Sequence, residues 1–150
     1  MNIQIRTARL EDITQLALLF DAYRVFYRKE SDPGAAAVFL TQRIQAADSV
    51  IYVAIREGQL SGFTQLYPLF SSTRLQRMWL LNDLFVSPAH RGKGISKELL
   101  QASRDLCQQT GAAGLLLETE KTNQTGNHLY PSQGFRPCEQ SNFYWWEPGY

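Results

Sequence analysis

Arg91-Gly92-Lys93-Gly94 stands between an apolar run and an amphipathic one. Two glycines there let the backbone crowd its N–H groups around an anion. The first turn of a following helix adds unpaired N–H groups and the positive end of its dipole. Arg91 and Lys93 supply charge, so the chemistry this segment calls for is a phosphate or pyrophosphate. The plainer reading, a basic loop that opens a helix, uses the same residues. Familiar nucleotide loops do not fit. There is no Gly-x4-Gly-Lys-[Ser/Thr], and the place of a third glycine in Gly-x-Gly-x-x-Gly is taken by Lys97. A dinucleotide fold would also carry such a loop after its first strand, whereas here it follows the fourth expected one.

Those residues need a scaffold. Asn2 to Arg6 alternates polar and apolar residues, which predicts a short strand. From Leu10 to Tyr27, the residues Ile13, Leu16, Ala17, Phe20, Tyr23 and Tyr27 recur three and four apart and make one apolar helix face. Asp32-Pro33 predicts the cap and first position of a second helix, ending near Asp48. Strands are predicted over 49–56 and 60–70, joined at Glu57-Gly58, with Gly62 a candidate bulge. A third, over 76–86, is the most apolar and is placed centrally; Ser87-Pro88 ends it. A helix over 95–110 turns Ile95, Leu99, Leu100, Ala102, Ser103 and Leu106 inward and stops at Gly111. A buried strand over 113–119, a short helix over 123–130 and a terminal pair of strands over 135–138 and 142–146 complete the chain. The order β-α-α-β-β-β-α-β-α-β-β is a mixed α/β fold.

A chain of 150 residues is about one domain's worth, so residues 1–150 read as a single domain. With 44% hydrophobic and 19% charged residues the composition is that of a folded protein, not a disordered one. A formal charge of +1 gives no broad footprint for nucleic acid or an anionic membrane surface. Cys107 and Cys138 are too few for a disulfide framework and lack metal-ligand spacing; they read as buried free thiols in a reducing compartment. No signal-peptide core and no apolar run of ~18 residues is present, so the expected location is cytoplasmic.

The run Leu84-Phe85-Val86-Ser87-Pro88-Ala89-His90-Arg91-Gly92-Lys93-Gly94-Ile95-Ser96 resembles the acetyl-CoA-binding motif of the GNAT superfamily of N-acetyltransferases: a central strand, Arg/Gln-x-x-Gly-x-Gly/Ala, then a helix. Downstream, Asn123 and Leu129-Tyr130-Pro131-Ser132-Gln133-Gly134-Phe135 are similar to the family's Asn-x-x-Ala-x-x-Leu-Tyr-x-x-x-Gly-Phe segment. The separation of the two matches and the element order also agree. The resemblance implies a mixed, mostly antiparallel central sheet flanked by helices. It implies that backbone N–H groups of Arg91, Gly92, Lys93, Gly94, Ile95 and Ser96 hold the CoA pyrophosphate. The strand Leu84, Phe85 and Val86 would pair with the pantetheine arm through the backbone of Leu84 and Val86, beside a splayed neighbour. Asn123 would hold the pantetheine or orient the following helix, and Tyr130 would point at the CoA sulfur as a general acid. Two departures stand out. Ser96 occupies a usual Gly or Ala position, and Pro131 biases Tyr130 away from helical geometry.

An amine acceptor must lose a proton before attack. For an alkylammonium of pKa ~10.4 that costs about 4.6 kcal/mol at neutral pH. Asn82-Asp83-Leu84-Phe85-Val86 is similar to Glu-Asp-aromatic-aromatic-Val of the diamine/spermidine acetyltransferase branch. Asn82 replaces the glutamate there and cannot be a base. Asp83 is the candidate base, although strand alternation turns it from Asn82's face unless a bulge intervenes; a structural carboxylate or a water chain is the alternative. Tyr23, Phe26 and Tyr27 end the helix that would border the acceptor groove, and Glu118 ends the strand opposite. His90 reads as solvated and His128 as a half-exposed structural histidine. The expected function is therefore acetyl transfer from acetyl-CoA to a small-molecule primary amine (a polyamine, amino acid or similar) in a ternary complex without metal. Tyr130 and Asp83 would be catalytic, with Tyr27, Asn82 and Glu118 near the acceptor. A non-catalytic CoA-binding domain and an acetyltransferase for protein or peptide amines are the alternatives. Phe143-Tyr144-Trp145-Trp146 is apolar on both faces of an expected strand, which predicts a homodimer contact.

Overall fold

The computed structural model describes residues 2–149. In chain order the elements are β1 (Ile3–Thr7), α1 (Ile13–Phe26), α2 (Pro33–Ala46), β2 (Val50–Arg56), β3 (Gln59–Ser71), β4 (Gln76–Val86), α3 (Ile95–Gln109), β5 (Leu115–Leu117) and α4 (Gln124–Ser132). The chain divides into two compact units, Met1–Glu118, which holds the sheet and α1–α3, and Thr119–Tyr150, which holds α4. Among the described residues no helix is long and apolar enough to cross a membrane.

Local chemistry accounts for the boundaries. The Asp32 side chain accepts from the Ala35 N–H at 3.0 Å and starts α2, with Pro33 at its first position. Glu57 and Gly58 both have positive φ, 53° and 75°, which is the twist a two-residue hairpin turn requires between β2 and β3. A 3-10 turn over Leu10–Asp12 precedes α1. There Arg6 donates twice to Asp12, at 2.8 and 2.9 Å, and holds that carboxyl below its ordinary range.

The sheet order is β1-β2-β3-β4-β5, antiparallel throughout except for the parallel β4–β5 pair. Pro68 is tolerated in β3 because the ladder to β2 has already ended at Val50–Leu66. On one face, Leu16, Phe20 and Leu40 of the α1–α2 pair cover Phe63 and Phe85. On the other, Ile95 and Leu99 of α3 cover Ala54 and Val86. The β2–β3 bulge falls at Ser61, one residue before the glycine: Ala54 faces Gly62 and Ile55 faces Leu60. Gly62 serves close approach instead, since a Cβ there would sit 2.9 Å from the Phe85 carbonyl oxygen.

Three expectations are corrected. Segments 135–138 and 142–146 form no strands. Their apolar content is strand-like, but Pro137 lacks a donor and a strand exists only with a partner ladder, which neither segment has among the described residues. Phe143, Tyr144, Trp145 and Trp146 are instead 73–90% exposed. Cys138 is exposed rather than buried; Cys107 is half-buried, and burial pushes its thiol up.

Candidate active site

The site begins with a change of parity along β4. The Trp79 N–H donates to Gly114 beside β5 at 3.1 Å, so strict alternation would turn Ser87 to the same side. Instead the Ser87 N–H donates to Ser61 on β3 at 2.8 Å. The reversal is a bulge: Gln65 faces Asp83 and Leu66 faces Leu81, which leaves Asn82 as the extra residue. Past it, the N–H and C=O groups of Leu84 and Val86 lie on the edge away from β3. The ladder to β5 ends at Leu81–Leu117. From Asn82 onward that edge has no strand beside it among the described residues. The Val86 carbonyl there accepts from Arg91 Nε at 3.0 Å.

The edge runs into the glycine loop. Gly92 and Gly94 have φ of 76° and 82°. A Cβ at either position would meet nothing within 4 Å, so backbone conformation and not crowding calls for glycine. Gly94 is the N-cap of α3, and having no side chain it leaves that terminus without a side-chain cap of its own. The first bond of the helix runs from the Glu98 N–H to the Gly94 carbonyl at 3.2 Å. The N–H groups of Ile95, Ser96 and Lys97 therefore lack intrahelical acceptors. By contrast, α2 and α4 are closed by Asp32 and Asn123. Ile95 is 2% exposed and anchors the turn, whereas Arg91, Gly92, Lys93 and Gly94 are exposed. An anion fits the helix terminus and an extended, amide-bearing arm fits the strand edge.

Around the bulge, Asn82 is exposed and Asp83 is only 3% exposed. Asp83 Oδ2 accepts from Gln65 Nε2 at 2.7 Å and Oδ1 from Asn82 Nδ2 at 2.9 Å. Burial pushes its carboxyl above the ordinary range against these hydrogen bonds and one from Tyr23. Tyr23 also donates to the Asn82 carbonyl at 3.3 Å. Its ring meets Phe85 edge-on at 6.1 Å and Tyr27 at 5.2 Å, so the end of α1 lies over the bulge. Glu118 is exposed and lies one residue past the last β4–β5 pair, as Asn82 does on β4. Gln65 was not singled out from the sequence. Its signal was a polar residue two places from Phe63, on the face that the core requires to be apolar.

In the second unit, Asn123 spends both amide atoms locally. Oδ1 accepts from the Gly126 N–H at 3.1 Å and Nδ2 donates to Thr119 Oγ1 at 2.9 Å. A Cβ at Gly126 would lie 2.7 Å from Asn123 Nδ2, so a larger residue there would shift the Asn123 side chain. Pro131 does not end α4 before Tyr130; the helix runs to Ser132. It closes through bonds from Gly134 N–H to Pro131 and from Phe135 N–H to Tyr130, both 3.1 Å, with Gly134 at φ 91°. Phe135 meets the Tyr130 ring at 5.8 Å, the apolar contact that accompanies this closure. The Tyr-x-x-x-Gly-Phe spacing is thus a helix stop that fixes the tyrosine. His128 is exposed; His90 is half-buried rather than solvated, with a buried Nδ1 that has no hydrogen-bond partner.

A free strand edge feeding an uncapped helix terminus suits an extended ligand that ends in an anion. Residues 16–135 match the acetyltransferase (GNAT) family, and the chain belongs to that family. It is 44% identical over 133 residues, 89% of each chain, to the uncharacterized N-acetyltransferase YhfO of Bacillus subtilis (strain 168). It is 31% identical over 126 residues to a probable acetyltransferase of Haemophilus influenzae, covering 83% of this chain and 84% of that one. A crystal structure of a probable acetyltransferase superposes with a TM-score of 0.91 at 36% identity, over 96% of this chain and 97% of the other.

Proposed function

We propose that the protein is a cytoplasmic N-acetyltransferase that moves an acetyl group from acetyl-CoA directly to a primary amine of a small molecule. The observation that carries this reading is the edge of Leu84 and Val86, left open by β5 and ending at the uncapped N-terminus of α3. Acetyl-CoA, when bound, supplies the activated thioester. The Arg91–Ser96 loop holds its pyrophosphate, and Leu84 and Val86 hold the amide-bearing arm. The Leu84 N–H stabilises charge on the carbonyl oxygen during attack. Tyr130 donates a proton to the departing sulfur. Water at the exposed Asn82 carries off the amine's proton. Tyr27, Asn82 and Glu118 border the acceptor. The free state of both cysteines fits a reducing compartment. A thiol-release screen over polyamines, amino acids, aminoglycosides and peptides tests the acceptor class. Turnover with a small amine and none with peptides is expected; turnover with peptides alone contradicts it.

A second copy of this chain is proposed to cover Phe143, Tyr144, Trp145 and Trp146. Burying about 150 Å² per ring at ~25 cal/mol/Å² offers about 4 kcal/mol each before ordering costs. Four rings from each of two copies bury about 1,200 Å² in total, at the lower end of a stable interface. Sedimentation at micromolar concentration is expected to show a dimer that Trp145→Ser with Trp146→Ser dissociates. A clean monomer of the parent protein rules the contact out.

A further inference from the structure

The β4 bulge has polar side chains buried against it that the proposed chemistry does not use. Gln65 and Thr64 are fully buried and Asp83 nearly so. Ser49 Oγ donates to Gln65 Oε1 at 3.0 Å, and Gln65 Nε2 donates to Asp83 Oδ2 at 2.7 Å. Thr64 Oγ1 donates to the Asp83 carbonyl at 2.7 Å, while Asn82 Nδ2 closes onto Asp83 Oδ1 at 2.9 Å. Every one of these bonds except the first ends on Asp83. A bulge leaves ladder groups unpaired and bends the strand, and this set holds the bend from both faces of β3, with Gln65 on the face of Phe63 and Thr64 on the opposite one.

We propose that Ser49, Gln65 and Asp83 form a positioning chain that locks the Asn82 bulge and so aims the Leu84 N–H at the open edge of β4. Were Asn82 paired in register with no bulge, strict alternation from Trp79 would turn Leu84 into the β3 ladder and away from that edge. The chain's product is therefore the direction of one N–H group. Asp83 acts here as an acceptor of hydrogen bonds, not as the base that takes the amine's proton: both its oxygens are engaged and it is 3% exposed. A core wanting only stability is served as well by apolar residues of similar volume. This inference rests on the acetyltransferase reading.

Four variants test it, read by kinetics, acetyl-CoA affinity and amide exchange. Gln65→Leu breaks the chain, and kcat is expected to fall at least about tenfold with acetyl-CoA affinity changed by less than about threefold. The Asp83 amide, which faces β3, is expected to exchange its hydrogen at least about tenfold faster. Asp83→Asn can rebuild the chain if the Gln65 amide flips and Ser49 accepts instead of donating. Its kcat is expected to fall less than that of Gln65→Leu, with the pH profile of kcat/KM unshifted. Ser49→Ala, at the accessible end, is expected to lower kcat several-fold and Ser49→Thr to restore it, which keeps the test valid if Gln65→Leu does not fold. Parental kcat and parental amide exchange in Gln65→Leu and Ser49→Ala overturn the proposal. So does a loss in Asp83→Asn of about 100-fold together with the acidic limb of the pH profile, which would make Asp83 the base. Faster Asp83 exchange in a protein whose parent releases no CoA would leave the lock standing and remove the acetyltransferase reading instead.

Discussion

Gly94→Glu is expected to abolish acetyl-CoA binding while the protein stays folded. Position 94 is the N-cap of α3, and glycine offers no side chain to close that terminus. The N–H groups of Ile95, Ser96 and Lys97 are therefore open to a pyrophosphate, and a carboxylate at 94 would compete for them as well as repel it. The loss should be at least about 100-fold, or ~2.7 kcal/mol. Backbone strain contributes part of the change, because a non-glycine residue at φ 82° costs roughly 1–2 kcal/mol. Gly94→Ala separates the two causes. Its Cβ meets nothing within 4 Å, so it carries the strain without the charge. It should weaken binding by less than about tenfold. Calorimetry gives both affinities, and unchanged binding in Gly94→Glu would remove the loop from the account.

Tyr130→Phe is expected to lower kcat at least about tenfold, ~1.4 kcal/mol or more, with acetyl-CoA affinity within about twofold of the parent. The substitution keeps the ring, and with it the 5.8 Å contact to Phe135 and the helix closure at Gly134. Only the hydroxyl goes. A thiolate leaving without a proton donor is the step this should slow. Retained kcat would make Tyr130 a packing residue of the α4 terminus. A parallel fall in melting temperature would say the same.

Much of this was legible in the sequence because the signals are local. The 76–86 strand is bounded by a polar loop and by Ser87-Pro88, and it forms over those same residues. Asp32-Pro33, Glu57-Gly58 and Gly94-Ile95 each specify a cap or turn by their own chemistry. The terminal strands were not legible. Phe143 to Trp146 has strand composition, but a ladder needs a partner, and no local pattern reports one. The Asn82 bulge was hidden for a related reason. It depends on pairing Gln65 with Asp83 eighteen residues away. The sequence offered only an adjacent polar pair, which reads equally as a base and its neighbour. Pro131 misled in the opposite direction: it lies in the last turn of α4, where the helix end already has closing bonds.

Steady-state release of free CoA from acetyl-CoA, followed with and without an added primary amine, tests the central claim most directly. The account predicts release that depends on the amine, saturates with it, and disappears in Gly94→Glu. Tight acetyl-CoA binding with no release under any amine would contradict it and leave a CoA-binding module without transferase activity.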